Sequence, residues 1–288
     1  MPYLPMMWLP FLPAAIFDFD FRWITVFFQL LSVAVIMTPL VKIRKSILLI
    51  PAILAGAGLF LFLNYFLYKR YDYWGMTEEG VVVCFYLLLG FALLRKNYWL
   101  IGLAITVCTL SRYSLVMWLP VYFIFVMVIR PRQDFWKLLV SSGASMLALF
   151  IIPFFIRDPL YFIHIPDSYM KLKKHFWDVC GVADHQFYNV GLFKFFSFEQ
   201  VHTMFVLELL TSFLAPVILI LTVKWLAKKT EVNEQYLGFA SLKISLIFFF
   251  AFIQIPYVYV FVPITLLSYV LLFDYVAGPA VAVNDTKA

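Results

Sequence analysis

Apolar residues in this chain come in long runs separated by short clusters of charge, and positions inside the runs do not alternate between apolar and polar. Phe248-Phe249-Phe250-Ala251-Phe252-Ile253 is one example; a transmembrane β-barrel would alternate in short strands. Runs of this kind predict α-helices that cross a bilayer whose hydrocarbon core is about 30 Å thick. They fall at about 23–41, 46–67, 80–94, 138–156, 203–223, 237–255 and 257–275, with Pro256 separating the last two. Residues 3–17 are apolar but short and interrupted by Pro5, Pro10 and Pro13, which predicts an interfacial or re-entrant piece, or the end of a longer span.

The stretch 98–129 differs from the rest. It is apolar except for one charge near its middle, Arg112, and it is flanked by Arg95-Lys96 and by Arg130. A single straight helix over it would run about 48 Å, well beyond the hydrocarbon core. Both flanks are basic, and short basic loops favour the cytoplasm. The pattern therefore predicts that the chain goes out, turns at Ser111-Arg112-Tyr113-Ser114, and comes back, carrying a cation to the tip of a hairpin at the outer face. An ionisable residue so placed is a functional-site candidate.

The same rule orients the other spans. Lys42, Arg44, Lys45, Arg95, Lys96, Arg130, Arg132, Lys137, Lys224, Lys228 and Lys229 all fall inside, and the polar-aromatic loop 157–202 falls outside. The expected fold is all-α: a multi-pass helical protein of the cytoplasmic membrane with about nine transmembrane or re-entrant segments. Residues 1–276 are expected to form one integral membrane domain, and 277–288 a disordered cytoplasmic tail. Composition agrees: 64% of residues are hydrophobic, 20% aromatic and 13% charged, against about 25% charged in soluble domains. The net charge of +6 is orientation signal at the membrane rim and does not point to nucleic acid. Cys84, Cys108 and Cys180 show no disulfide or metal-ligand spacing, and the N-terminus lacks the charged region of a cleavable signal peptide.

In this topology the polar groups collect on the outer face. A guanidinium at Arg112 matches a phosphate in two-point geometry, and Tyr113 with the flanking serines adds hydroxyls for the same ligand. Asp18 and Asp20 could act as general base or bind a divalent cation bridging a pyrophosphate, with Arg22 as a further phosphate contact. Trp74, Glu78 and Glu79 could form a cavity wall; Thr77 suits a helix N-cap and the two glutamates suit the helix's first turn. Asp158 and His185 lie in the outer loop, where His175 and His185 lack metal-ligand spacing. Glu208 and Lys243 interrupt spans, which buried partners or a lumen-facing position would explain, ahead of a catalytic role. No phosphate-binding glycine loop, dinucleotide fingerprint, zinc motif or serine-hydrolase elbow is present.

Three stretches then suggest a family. They are Trp74-Gly75-Met76-Thr77-Glu78-Glu79, Arg95-Lys96-Asn97-Tyr98-Trp99 and Thr109-Leu110-Ser111-Arg112-Tyr113-Ser114 with Trp118-Leu119-Pro120. Together they resemble the core of bacterial GT-C-type membrane glycosyltransferases that use polyprenyl-phosphate mannose. Asp18-Phe19-Asp20-Phe21-Arg22 is similar to the D-x-R segment of that family, and Arg157-Asp158-Pro159 to the exit into its long outer loop; the resemblance covers most of 10–160. It implies a lipid-linked sugar donor, inverting transfer to an acceptor hydroxyl on the outer face, and an acidic base in the first outer loop. That acid normally lies upstream of the D-x-R segment, and no acid precedes Asp18 here. The expectation is thus an N-terminally shortened chain, or a base supplied by Asp18 or Asp20. A transporter or flippase of a lipid-linked sugar, or a non-catalytic membrane fragment, is the alternative.

Overall fold

The computed structural model describes residues 4–39, 78–159, 192, 198–227, 233–253 and 262–277. The expected span at 46–67, Trp74, Thr77, Cys180, His185, most of the loop 157–202 and the tail from 278 lie outside the described residues. Among the described residues the chain is helical throughout and has no strand. The elements are α1 (Pro5–Phe17), α2 (Arg22–Met37), α3 (Glu79–Leu94), α4 (Tyr98–Thr109), α5 (Trp118–Ile129), α6 (Arg132–Phe155), α7 (Val201–Leu226), α8 (Glu234–Phe252) and α9 (Val262–Ala277).

Helix α3 is the centre. All of its residues are buried except Leu88 and Phe91, as expected of a helix apolar on every face. It packs against α2, α4, α8 and α9. The outer helices are inverted relative to a soluble protein. On α2 the buried positions Thr25, Gln29 and Ser32 are polar, while Trp23, Val26, Phe27 and Leu30 face outward. On α7 Glu208 and Ser212 are buried, and Leu210, Leu214, Ile218 and Leu221 are exposed. Polar groups inside and apolar groups outside is the arrangement a hydrocarbon solvent imposes.

Three helices, α6, α7 and α8, are long and apolar enough to cross a membrane. The chain is therefore a helical membrane protein; the other apolar helices among the described residues are shorter, 10–17 residues. The two arms of the hairpin are among them. The chain does double back: Tyr98 at the start of α4 and Arg130 at the end of α5 meet through a 2.6 Å hydrogen bond from Arg130 Nε to the Tyr98 hydroxyl. Yet α4 and α5 have twelve residues each, about 18 Å of helix, against a core of about 30 Å. The segment between them, with a 3₁₀ turn at Tyr113–Leu115, is held by protein: Leu110, Ser111, Ser114 and Leu115 are all buried. The carbonyl of Leu110 accepts the Met6 N–H at 3.0 Å, so α1 covers the tip. Each of Pro5, Pro10 and Pro13 stands in the first turn of a short helical piece of α1, where its missing N–H costs nothing.

Small residues set the closest crossings. A Cβ at Gly102 would come within 2.8 Å of the Ser142 backbone nitrogen, so α4 and α6 touch there backbone to backbone. Ser141 Oγ donates to the Trp99 carbonyl at 2.6 Å, and Thr106 Oγ1 to the Ser142 carbonyl at 3.2 Å.

Prolines inside spans are repaired by neighbours. Pro216 in α7 has no N–H to give the Ser212 carbonyl one turn back. That carbonyl instead accepts a 2.7 Å hydrogen bond from Ser245 Oγ of α8, which is how membrane helices tolerate proline. Pro153 lies in the π-helical end of α6, Leu147–Phe155, where Ile156 N–H reaches Ile151.

Two outcomes follow. Ser245→Ala should lower unfolding stability in detergent by about 1–3 kcal/mol, the cost of an orphaned buried carbonyl, and the loss should shrink when Pro216→Ala restores the helix bond; chemical denaturation of the two single variants and the double variant measures it. Because α6 crosses between Arg132 and Phe155, cysteines placed at Lys96 and at Asp158 should react with a membrane-impermeant thiol reagent from opposite sides of the vesicle. Cys84 and Cys108 are buried and should stay silent.

Candidate functional site

Arg112 ends up inside the protein. Helix α4 stops at Thr109, and the backbone of Arg112 is extended (φ −149, ψ 146) before the 3₁₀ turn. This throws the side chain back toward the first turn of α3, where Arg112 Nη2 is hydrogen-bonded and ion-paired to Glu79 Oε1. The two side chains are 13% and 4% exposed, so the guanidinium faces a carboxylate of its own chain and does not stand open to lipid headgroups.

A second contact locks the same geometry. Tyr86 lies two turns along α3 from Glu79, on the same face, and its hydroxyl is hydrogen-bonded to Ser114 Oγ just beyond Arg112. Ser111 Oγ donates to the Cys108 carbonyl at 2.7 Å, closing the end of α4. Helix α3 thus holds the tip at two points, one ionic and one neutral. On its other side, Gly80 lets α2 approach: a Cβ there would sit 2.9 Å from Thr25 Cγ2 and 3.4 Å from Gln29 Cγ. Tyr113 alone of the tip side chains reaches out, at 38% exposure.

The other candidates fall into three groups. Asp18 ends α1 in the left-handed conformation (φ 51), a helix-stopping position that Asp tolerates, and its side chain is exposed. Asp20 accepts hydrogen bonds from Arg22 Nε at 2.7 Å and from the Arg22 backbone N–H at 2.9 Å. The Arg22 guanidinium holds the Asp20 carboxyl below the ordinary carboxylate range, which weakens it as a base. The charge that lowers Asp20 comes from Arg22, so this pair is a unit of its own at the start of α2. Glu78 is the N-cap position of α3, without a side-chain cap bond. Asp158 is exposed beyond α6. Trp74 and His185 lie outside the described residues. Among the described residues no group of three or more His, Cys, Asp or Glu side chains could hold a metal ion.

The sequence named both members of the pair but gave no hint that they meet, because 33 positions separate them. Tyr86 was missed. The one available signal was its spacing of seven from Glu79, which puts both on one helical face. Glu208 is buried, and Lys243 donates to Ser268 Oγ of α9 at 2.6 Å, giving the two span-interrupting charges an interior position and a partner respectively.

Breaking a buried ion pair leaves the surviving charge unsatisfied and costs about 3–5 kcal/mol, whereas replacing both partners with apolar groups is often neutral. Glu79→Leu and Arg112→Met alone should each destabilise by about that much, and the double variant should recover most of it; thermal unfolding in micelles tests this.

Family models, curated proteins and solved structures were compared with the chain, and none matches.

Proposed function

We propose that this protein is a membrane glycosyltransferase that moves a sugar from a polyprenyl-phosphate donor to an acceptor hydroxyl on the outer face of the cytoplasmic membrane. The observation that carries the reading is the Glu79–Arg112 pair, enclosed by protein at the break between two apolar helices and flanked by the Tyr86, Ser111 and Ser114 hydroxyls. A desolvated guanidinium can stabilise the charge of a departing phosphate, and a carboxylate beside it can take the acceptor proton. The donor phosphate would replace Glu79 as the partner of Arg112, and the freed carboxylate would stand beside the reacting centre. The acceptor oxygen then forms its bond to the sugar's anomeric carbon as the bond to the phosphate oxygen breaks. The acceptor proton passes to Glu79, and polyprenyl phosphate leaves on Arg112. Glu79 takes the basic role in this scheme, in place of Asp18 or Asp20, because it is the carboxylate in contact with the guanidinium. Tyr113 would offer an aromatic face at the entrance.

One observation favours a non-catalytic membrane protein: the pair is closed, and a satisfied buried pair can be purely architectural. A transporter of the lipid-linked sugar would use the same cation without cleavage.

Full-length protein in nanodiscs, given labelled polyprenyl-phosphate hexose and a glycan acceptor, separates these. The transferase reading requires release of polyprenyl phosphate and a loss of about 10²-fold or more on Arg112→Lys. Movement of intact donor across the bilayer would indicate the transporter, and neither activity would leave an architectural pair.

A further inference from the structure

Lys243 stands at the centre of α8, a helix long and apolar enough to cross the membrane. It lies nine residues from Glu234 and nine from Phe252, about 14 Å of helix either way. A lysine near a helix end carries its ammonium to the interface along its four-carbon stem. Lys243 is held elsewhere. Two rungs join α8 to α9 in antiparallel register. Tyr236 donates to Asp274 at 3.2 Å; seven residues on in α8 and six back in α9, Lys243 donates to Ser268 Oγ at 2.6 Å. The ammonium is thus kept level with Ser268, about 9 Å along α9 from Asp274, and Asp274 itself lies beside Arg95.

The bond to Ser268 is to a neutral acceptor and uses one of three N–H donors. Among the described residues Lys243 belongs to no ion pair. Its surroundings face outward. Ser268 is exposed, as are Ile247 and Leu272, one turn from Lys243 and from Ser268 on the same faces. Thr265, one turn back on α9, is exposed too. Thr265 and Ser268 are small, and small residues let a further helix come close. A cation at this depth is expensive, and in membrane proteins such groups pair with an opposite charge.

We propose that the α8–α9 face around Lys243 is a docking surface for a transmembrane helix of another protein, one that carries an aspartate or glutamate at mid-span to pair with the lysine. Charge complementarity selects an anion, and depth selects its carrier. Lipid phosphates stay at the edges of a hydrocarbon core about 30 Å thick, whereas a carboxylate on a helix can sit at its middle. A second copy of this chain is poorly suited: the acids inside its described spans, Glu79 and Glu208, are both buried. The surface is separate from the Glu79–Arg112 pair, and its test needs no activity there.

The test uses full-length protein in nanodiscs with a dye at Tyr275→Cys, and a synthetic leucine-rich transmembrane peptide with one central glutamate, read by energy transfer. Peptides with glutamine or leucine at that position are the controls. The glutamate peptide should bind at least 5-fold more tightly than the leucine peptide. Lys243→Leu should abolish the difference while its own unfolding temperature stays level or rises, since an apolar residue replaces a charge at lipid depth. Thr265→Phe should weaken the glutamate peptide with the charge in place, by blocking close approach. Equal binding of the leucine peptide, or full binding by Lys243→Leu, would overturn the proposal. So would self-association that is lost on Lys243→Leu, which points to a second copy. Rapid reaction of Ser268→Cys with a membrane-impermeant thiol reagent would overturn it as well, because it places the lysine on a water-filled path.

Discussion

Inside a bilayer a polar group can be satisfied only by another part of the protein, and that constraint organises this molecule. Helix α2 turns Thr25, Gln29 and Ser32 inward and leaves Trp23 and Phe27 outside. Helix α7 does the same with Glu208 and Ser212 against Leu214 and Ile218. The clearest case is Pro216. By withholding an N–H it exposes the Ser212 carbonyl, and a hydroxyl from α8 takes the vacancy. The α7–α8 contact is thus specified by a hydrogen bond that neither helix could make alone. Apolar packing cannot supply that specificity, since lipid tails are as apolar as leucine.

The same constraint explains the hairpin. Arms of about 18 Å cannot carry a charged turn across a core of about 30 Å into water. The turn is instead completed by protein at both ends. At the tip, Glu79 takes the guanidinium, Tyr86 takes Ser114, and α1 supplies an N–H to Leu110. At the foot, Arg130 joins Tyr98 to Glu234, and Asp274 lies 3.7 Å from Arg95 while accepting from Tyr236 at 3.2 Å. Among the described residues the ion pairs of the hairpin gather at its tip and at its foot, while Lys243 lies mid-helix in α8 against Ser268.

Such an arrangement makes the tip pair a plausible place for chemistry in energetic terms. In the proposed transfer, a guanidinium already stripped of water would bind an incoming phosphate without losing hydration a second time, and the displaced carboxylate would stand close by. At the foot of the hairpin the carboxylate of Glu234 is engaged by Arg130, which also bonds Tyr98.

The sequence by itself determined the solvent and the secondary structure. Long apolar runs without alternation read as helices in lipid, and the lone Arg112 between two basic flanks predicted a turn, which the Tyr98–Arg130 bond shows. It also put Glu79 and Arg112 among the candidate residues. Hydropathy did not say which apolar stretches cross the bilayer in full, because a stretch held in protein looks the same as one held in lipid when only hydropathy is read. Only the tertiary structure decided that Glu79 answers Arg112, that Asp20 is taken by Arg22, and that Ser245 repairs the break at Pro216. The physical reason is that a sequence names its polar groups and their spacing along one helix, but in hydrocarbon each must find its partner on another helix, and that choice is made by packing.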